Sequence, residues 1–227
     1  MTAMGQSENQ QINHSGRFTL ASWSGVAGAV LMATAIGVVV GLSPQGSDPG
    51  GAQATTEFYA QGGGHAALVV AEPLAIVAGF LLLWFVAHLT SRLEASQEGP
   101  LGYRYSTLAG GVMFVVLAFA SVIVQTTMAG AMSFYESFEV DPNTAHAFSH
   151  LGYVLLVGAM AGAAVQLAAA GASIRRAPTV LPRWMGTTSY LLAALSMLSF
   201  AFVYLPAVLY LMWILVAGLF LLRRQPT

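Results

Sequence analysis

The chain contains no cysteine and no lysine, and only 7% of its 227 residues carry charge. Without cysteine there is no disulfide, thiolate metal site, iron–sulfur cluster or cysteine nucleophile. Without lysine, Schiff-base chemistry, including attachment of a retinal, is excluded. All eight basic residues are arginine, and the formal net charge of −1 gives no basis for nucleic-acid binding. Soluble domains carry charge on about 25% of their residues. A surface this poor in charge suits lipid, and the 56% hydrophobic content supports the same membrane class.

What the chain does have is a series of long apolar runs. They lie near residues 18–42, 66–90, 106–133, 147–173 and 186–222. Each of the first four suffices to cross a hydrocarbon core ~30 Å thick, which takes about 20 helical residues. The last, roughly 37 residues, would extend about 55 Å as one helix. Pro206 in VYLPAVLY (203–210) offers a break, which divides it into helices at about 186–203 and 206–222. The sequence therefore predicts an all-α, six-helix transmembrane bundle over 18–224, preceded by a polar tail at 1–17 expected to be disordered. The first run exceeds a signal-peptide core and reads as a retained helix.

Charge placement bears on that count. With six crossings, Arg17, Arg92, Arg104, Arg175, Arg176, Arg183, Arg223 and Arg224 all fall on one side. The loops at 43–65 and 134–146 hold no arginine and carry Asp48, Glu57, Glu136, Glu139 and Asp141, which read as solvated loop acids. The positive-inside rule then places both termini in the cytoplasm. The loop 43–65 is rich in Gly, Pro and Ser and reads as flexible, with a short interfacial turn around TTEFYA. Trp23, Tyr59, Trp84, Tyr103, Tyr105, Tyr135, Trp184 and Tyr204 sit near helix ends, as an aromatic belt would.

Two GxxxG spacings, Gly37/Gly41 and Gly158/Gly162, allow close backbone approach. Packing within the chain is the simpler use, and a homo-oligomer or membrane-complex interface is the alternative. The alanine-rich fourth helix is expected at the centre.

The functional foothold is VVAEPLAI (69–76), where Glu72 and Pro73 interrupt an apolar run. A carboxylate at this depth costs about 2–3 kcal/mol when ionised. Pro73 withdraws a backbone donor and predicts a kink there. Polar residues expected at similar depth are Thr34, Gln125, Thr126, Thr127, His150, Tyr153, Ser196 and Ser199, with His65 at the mouth; Gln166 and His88 lie deeper, towards the cytoplasm. Three readings follow. The first is an outward-facing pocket formed by Glu72, Gln125, His150, Tyr153, Thr34 and Ser199, binding or moving a small ligand or a proton. The second is a metal-dependent intramembrane hydrolase: His146 and His150, one turn apart, would join Glu72 as zinc ligands with a fourth position open, and His65 is a further candidate ligand. It lacks the internal glutamate of HExxH. The third is an accessory or scaffold subunit whose polar groups satisfy one another. His88 and His150 lie too far apart in depth to ligate one haem, and no cofactor is otherwise expected.

The stretches HLGYVLLVGAM (150–160) and ASIRRAPTVLPRWMGTTSYLLAALSMLSF (172–200) resemble a family of bacterial six-helix membrane proteins defined only as a domain of unknown function. The matching residues are His150, Gly152 and Tyr153, then Leu181, Pro182, Arg183, Trp184 and Gly186, with Met185 where leucine is usual. Glu72 belongs to no motif of that family. The resemblance implies a six-helix fold in a bacterial cytoplasmic membrane and a cytoplasmic turn at LPRW, and it implies no activity.

Overall fold

The structure is a computed structural model and describes residues 3–42, 57, 63–95, 101–135 and 141–223, with side chains described for 20–42, 57, 66–95, 102–135, 141 and 143–223. Among the described residues the chain is all-α. Its helices are α1 (Ala3–Leu42), α2 (Gly63–Ala95), α3 (Leu101–Phe134), α4 (Pro142–Arg176), α5 (Arg183–Met197) and α6 (Tyr204–Arg223). Five are long and apolar enough to cross a membrane, over Leu20–Leu42, Ala66–Ala95, Gly102–Phe134, Asn143–Arg176 and Tyr204–Arg223. The sixth, α5, has 15 residues and reaches only about 22 Å.

Two boundaries differ from expectation. α1 begins at Ala3, so the polar stretch expected as a tail continues the helix. It contains no proline, and extending an existing helix costs far less than starting one. The break between α5 and α6 falls at 198–203, before Pro206. Pro206 is the third residue of α6, where a backbone N–H has no partner within the helix and its loss is harmless. The interfacial turn expected at TTEFYA lies outside the described residues except for Glu57, as do Asp48, Tyr59, Glu136, Glu139 and Arg224.

Each helix packs on its neighbours in sequence, and α6 returns against α1 while touching α5 only lightly. Of the five long apolar helices α4 is the most enclosed, with 61% of its most apolar stretch buried against 33% for α2, as its small side chains predict. Its Gly162 meets Gly110 of α3. A Cβ on Gly162 would stand 2.7 Å from the Phe114 nitrogen and 2.8 Å from the Gly110 carbonyl oxygen. The two backbones are thus as close as glycine permits, and Gly162 is used within the chain. By contrast, no described residue lies within 4 Å of a Cβ on Gly37 or Gly41. Large apolar side chains such as Phe80 (74% exposed) and Leu191 (67%) point outward, which water would penalise and lipid accepts.

Asp141, expected as a solvated loop acid, is exposed but also caps α4. Its Oδ2 accepts from the Thr144 backbone N–H (2.9 Å) and hydroxyl (2.6 Å), ahead of Pro142 in the first helical turn. The hydroxyl bond, followed by the backbone bond, holds its carboxyl below the usual aspartate range.

Candidate functional site

α2 continues through Pro73, whose missing N–H leaves the Val69 carbonyl without its usual donor. Beside it Glu72 is half-buried, and its Oε2 lies 3.9 Å from where a Cβ would stand on Gly130 of α3. The carboxylate therefore faces a patch of α3 that carries no side chain. It makes no hydrogen bond or ion pair with another described residue.

Gln125 turns to the other neighbour of α3. Its Nε2 donates to the Ser121 carbonyl (3.2 Å) and hydroxyl oxygen (3.0 Å). The Ser121 hydroxyl in turn donates to the Gly152 carbonyl on α4 (2.7 Å). The Gln125 side chain fills the space left open by Gly152, where a Cβ would come within 2.3 Å of Gln125 Cγ. Gln125 thus joins α3 to α4 rather than pairing with Glu72.

Tyr153 and Ser199 meet at a third place, the turn between α5 and α6. The Tyr153 hydroxyl donates to the Phe200 carbonyl (2.9 Å), and its ring meets Tyr204 edge-on at 6.4 Å. His150 is exposed and stacks on Tyr153 at 6.4 Å. Ser199 is buried; its N–H donates to the Ser196 carbonyl and its own carbonyl accepts from Phe202. Thr34 lies elsewhere again. It is exposed, donates to the Val30 carbonyl in its own helix, and lines an apolar groove of about 340 Å³ between α1 and α6 with Ala33, Val208 and Met212. Thr126 and Thr127 likewise bond to carbonyls of their own helix.

The six expected pocket residues therefore occupy four places: Glu72 between α2 and α3, Gln125 between α3 and α4, His150, Tyr153 and Ser199 at the α5–α6 turn, and Thr34 on the α1–α6 groove. Among the described residues no three histidine or acidic side chains converge as a metal site would need. His146 is exposed near the start of α4, and the side chain of His65 lies outside the described set.

Two polar contacts were not foreseen as pairs. In the bundle interior the Tyr210 hydroxyl of α6 donates to Oε1 of Gln166 on α4, both residues being fully buried. The Phe114 ring packs on Tyr210 at 4.2 Å. Gln166 Nε2 has no partner among the described residues. Nearer the arginine-rich ends, Ser22 Oγ of α1 stands 3.5 Å from Nε2 of the buried His88. The sequence signal for the first pair was Tyr210 itself, a hydroxyl several residues inside an apolar run, where no interface can satisfy it.

No protein-family model matches this chain, and no curated protein or solved structure matches it either. The likeness seen over 145–200 rests on its quoted residues alone.

Proposed function

We propose that this chain crosses a bacterial cytoplasmic membrane six times with both termini inside, and that it works without catalysis, binding or moving a proton or small ligand at Glu72. The topology is supported by the arginines, which all flank helix ends on one side of a six-crossing bundle. The path of α5 supports it too. Its first turn packs near Gly171 and Arg175 of α4, and the turn that follows it reaches Tyr153. Those α4 positions are about 27–33 Å apart, so α5 and its turn together cover the length of a full crossing.

The functional reading rests on one observation: Glu72 is half-buried opposite Gly130 and unpaired among the described residues, while Ser121, Gln125 and Tyr153 are engaged in bonds to backbone or to one another. Ser121, Gln125 and Tyr153 tie helices together, so their polarity is accounted for by structure. An unpaired carboxylate takes its counter-charge from outside the protein, from a proton or from a cationic ligand. The nearest arginine along its own helix is Arg92, 20 residues or about 30 Å away.

A hydrophobic carbodiimide, which couples to protonated carboxyls in apolar surroundings, tests this in proteoliposomes. Peptide mapping is expected to find Glu72 labelled and Glu94, ion-paired with Arg104, unlabelled. Glu72→Gln is expected to lose the label and keep the wild-type melting temperature. An unreactive Glu72, or a Glu72→Gln protein that melts several degrees lower, would make the residue structural and end this reading.

A further inference from the structure

We infer that the turn joining α4 to α5 binds the headgroup of an anionic phospholipid. Arg175 and Arg176 end α4, and Arg183 opens α5. The fold sets the start of α5 against the end of α4, and the end of α4 against α3. Arg176 Cζ lies over the Tyr103 ring, 4.7 Å from its centroid. Arg175 Cγ lies 2.8 Å from where a Cβ would stand on Gly186, so the aliphatic stem of Arg175 crosses to α5.

All three arginines are exposed, and none forms an ion pair with a described carboxylate. Arg104 differs, since Glu94 pairs with it. Nor is neutralisation available nearby in sequence, because 172–200 contains no aspartate or glutamate.

The occupant must be negative, and it must sit at the edge of an apolar surface. Trp184, next to Arg183, is half-exposed and meets Phe220 edge-on at 5.9 Å, and Leu191 opens to the outside two turns further along α5. A phosphodiester headgroup meets both demands. Guanidinium forks match its oxygens, and its acyl chains cover the apolar wall. A free phosphate would satisfy the charge and leave that wall bare.

Native mass spectrometry of the full chain, released from nanodiscs of mixed phosphatidylcholine and phosphatidylglycerol, tests the inference. Wild type is expected to retain phosphatidylglycerol selectively. Each Arg→Gln change at 175, 176 or 183 should weaken retention about fivefold, and the triple variant roughly a hundredfold. Arg104→Gln should stay within about twofold of wild type. Equal retention of the two lipids, or undiminished retention in the triple variant, would overturn the site. If millimolar inorganic phosphate displaced the lipid from wild type, the site would belong to a soluble anion and the lipid assignment would fail. Should the triple variant not fold, the single Arg176→Gln and Arg183→Gln proteins decide the matter by the same fivefold criterion.

Discussion

The Tyr210 hydroxyl on α6 is bonded to the side-chain carbonyl of Gln166 on α4, and this contact lies wholly inside the bundle. α6 otherwise leans mainly on α1, so the pair fastens it to the central helix. Tyr210→Phe would leave both polar ends of the Gln166 amide unsatisfied in apolar surroundings. A loss of about 1–2 kcal/mol is expected by thermal or denaturant unfolding in detergent. Gln166→Leu added to Tyr210→Phe should restore part of it, because removing both partners leaves nothing unsatisfied.

The meeting of Gly162 with Gly110 sets the spacing of α3 and α4. Gly162→Ala would place a methyl against backbone, which cannot swing aside, and a cost of about 1–3 kcal/mol is expected. Gly37→Ala is the control. No described residue lies within 4 Å of the added carbon, and the better helix propensity of alanine should raise the melting temperature slightly or leave it unchanged.

Tyr153 satisfies the Phe200 carbonyl in a turn whose apolar side chains face outward, with Phe200 68% exposed. In Tyr153→Phe that carbonyl loses its donor among the described residues. Hydrogen exchange over 198–203 is expected to accelerate several-fold while the core of α4 stays protected, a local opening rather than a global one.

The Asp141 cap carries a sign that can be checked. Its carboxyl titrates lower when folded than when unfolded, so its contribution is present above the unfolded aspartate pKa and fades as pH falls through the folded value. After correction for intrinsic exchange, the Thr144 amide should lose protection as pH drops below about 4. Asp141→Asn keeps a capping oxygen and removes the ionisation, so its protection should not change across that range.

The helices were legible in the sequence because lipid permits few alternatives to an apolar helix, and their arginine-marked ends were legible for the same reason. The use of Gly162 as a packing point was legible as well. The side-chain directions of the polar layer were not. Depth along the chain placed Glu72 beside Gln125, but depth does not say which neighbour a residue faces. Gly152 opened space on α4 and drew Gln125 to that side. Pro206 misled because proline stops a helix only when it lies beyond the first turn, and here the chain had already turned through Leu198–Phe202 with neither glycine nor proline. Ser121 was overlooked as one small hydroxyl among apolar neighbours, yet it carries the direct bond from α3 to α4.

The shortness of α5 reaches beyond the protein. At about 22 Å it is shorter than the ~30 Å hydrocarbon layer, and the turn after it carries Leu198, Phe200 and Phe202 outward instead of a polar loop. Because that apolar turn completes the length that α5 lacks, acyl chains beside this flank meet helix over part of their depth and non-helical backbone over the rest. A thinner membrane would uncover this turn before the helix, so bilayer thickness becomes a variable that the flank registers first at 198–202.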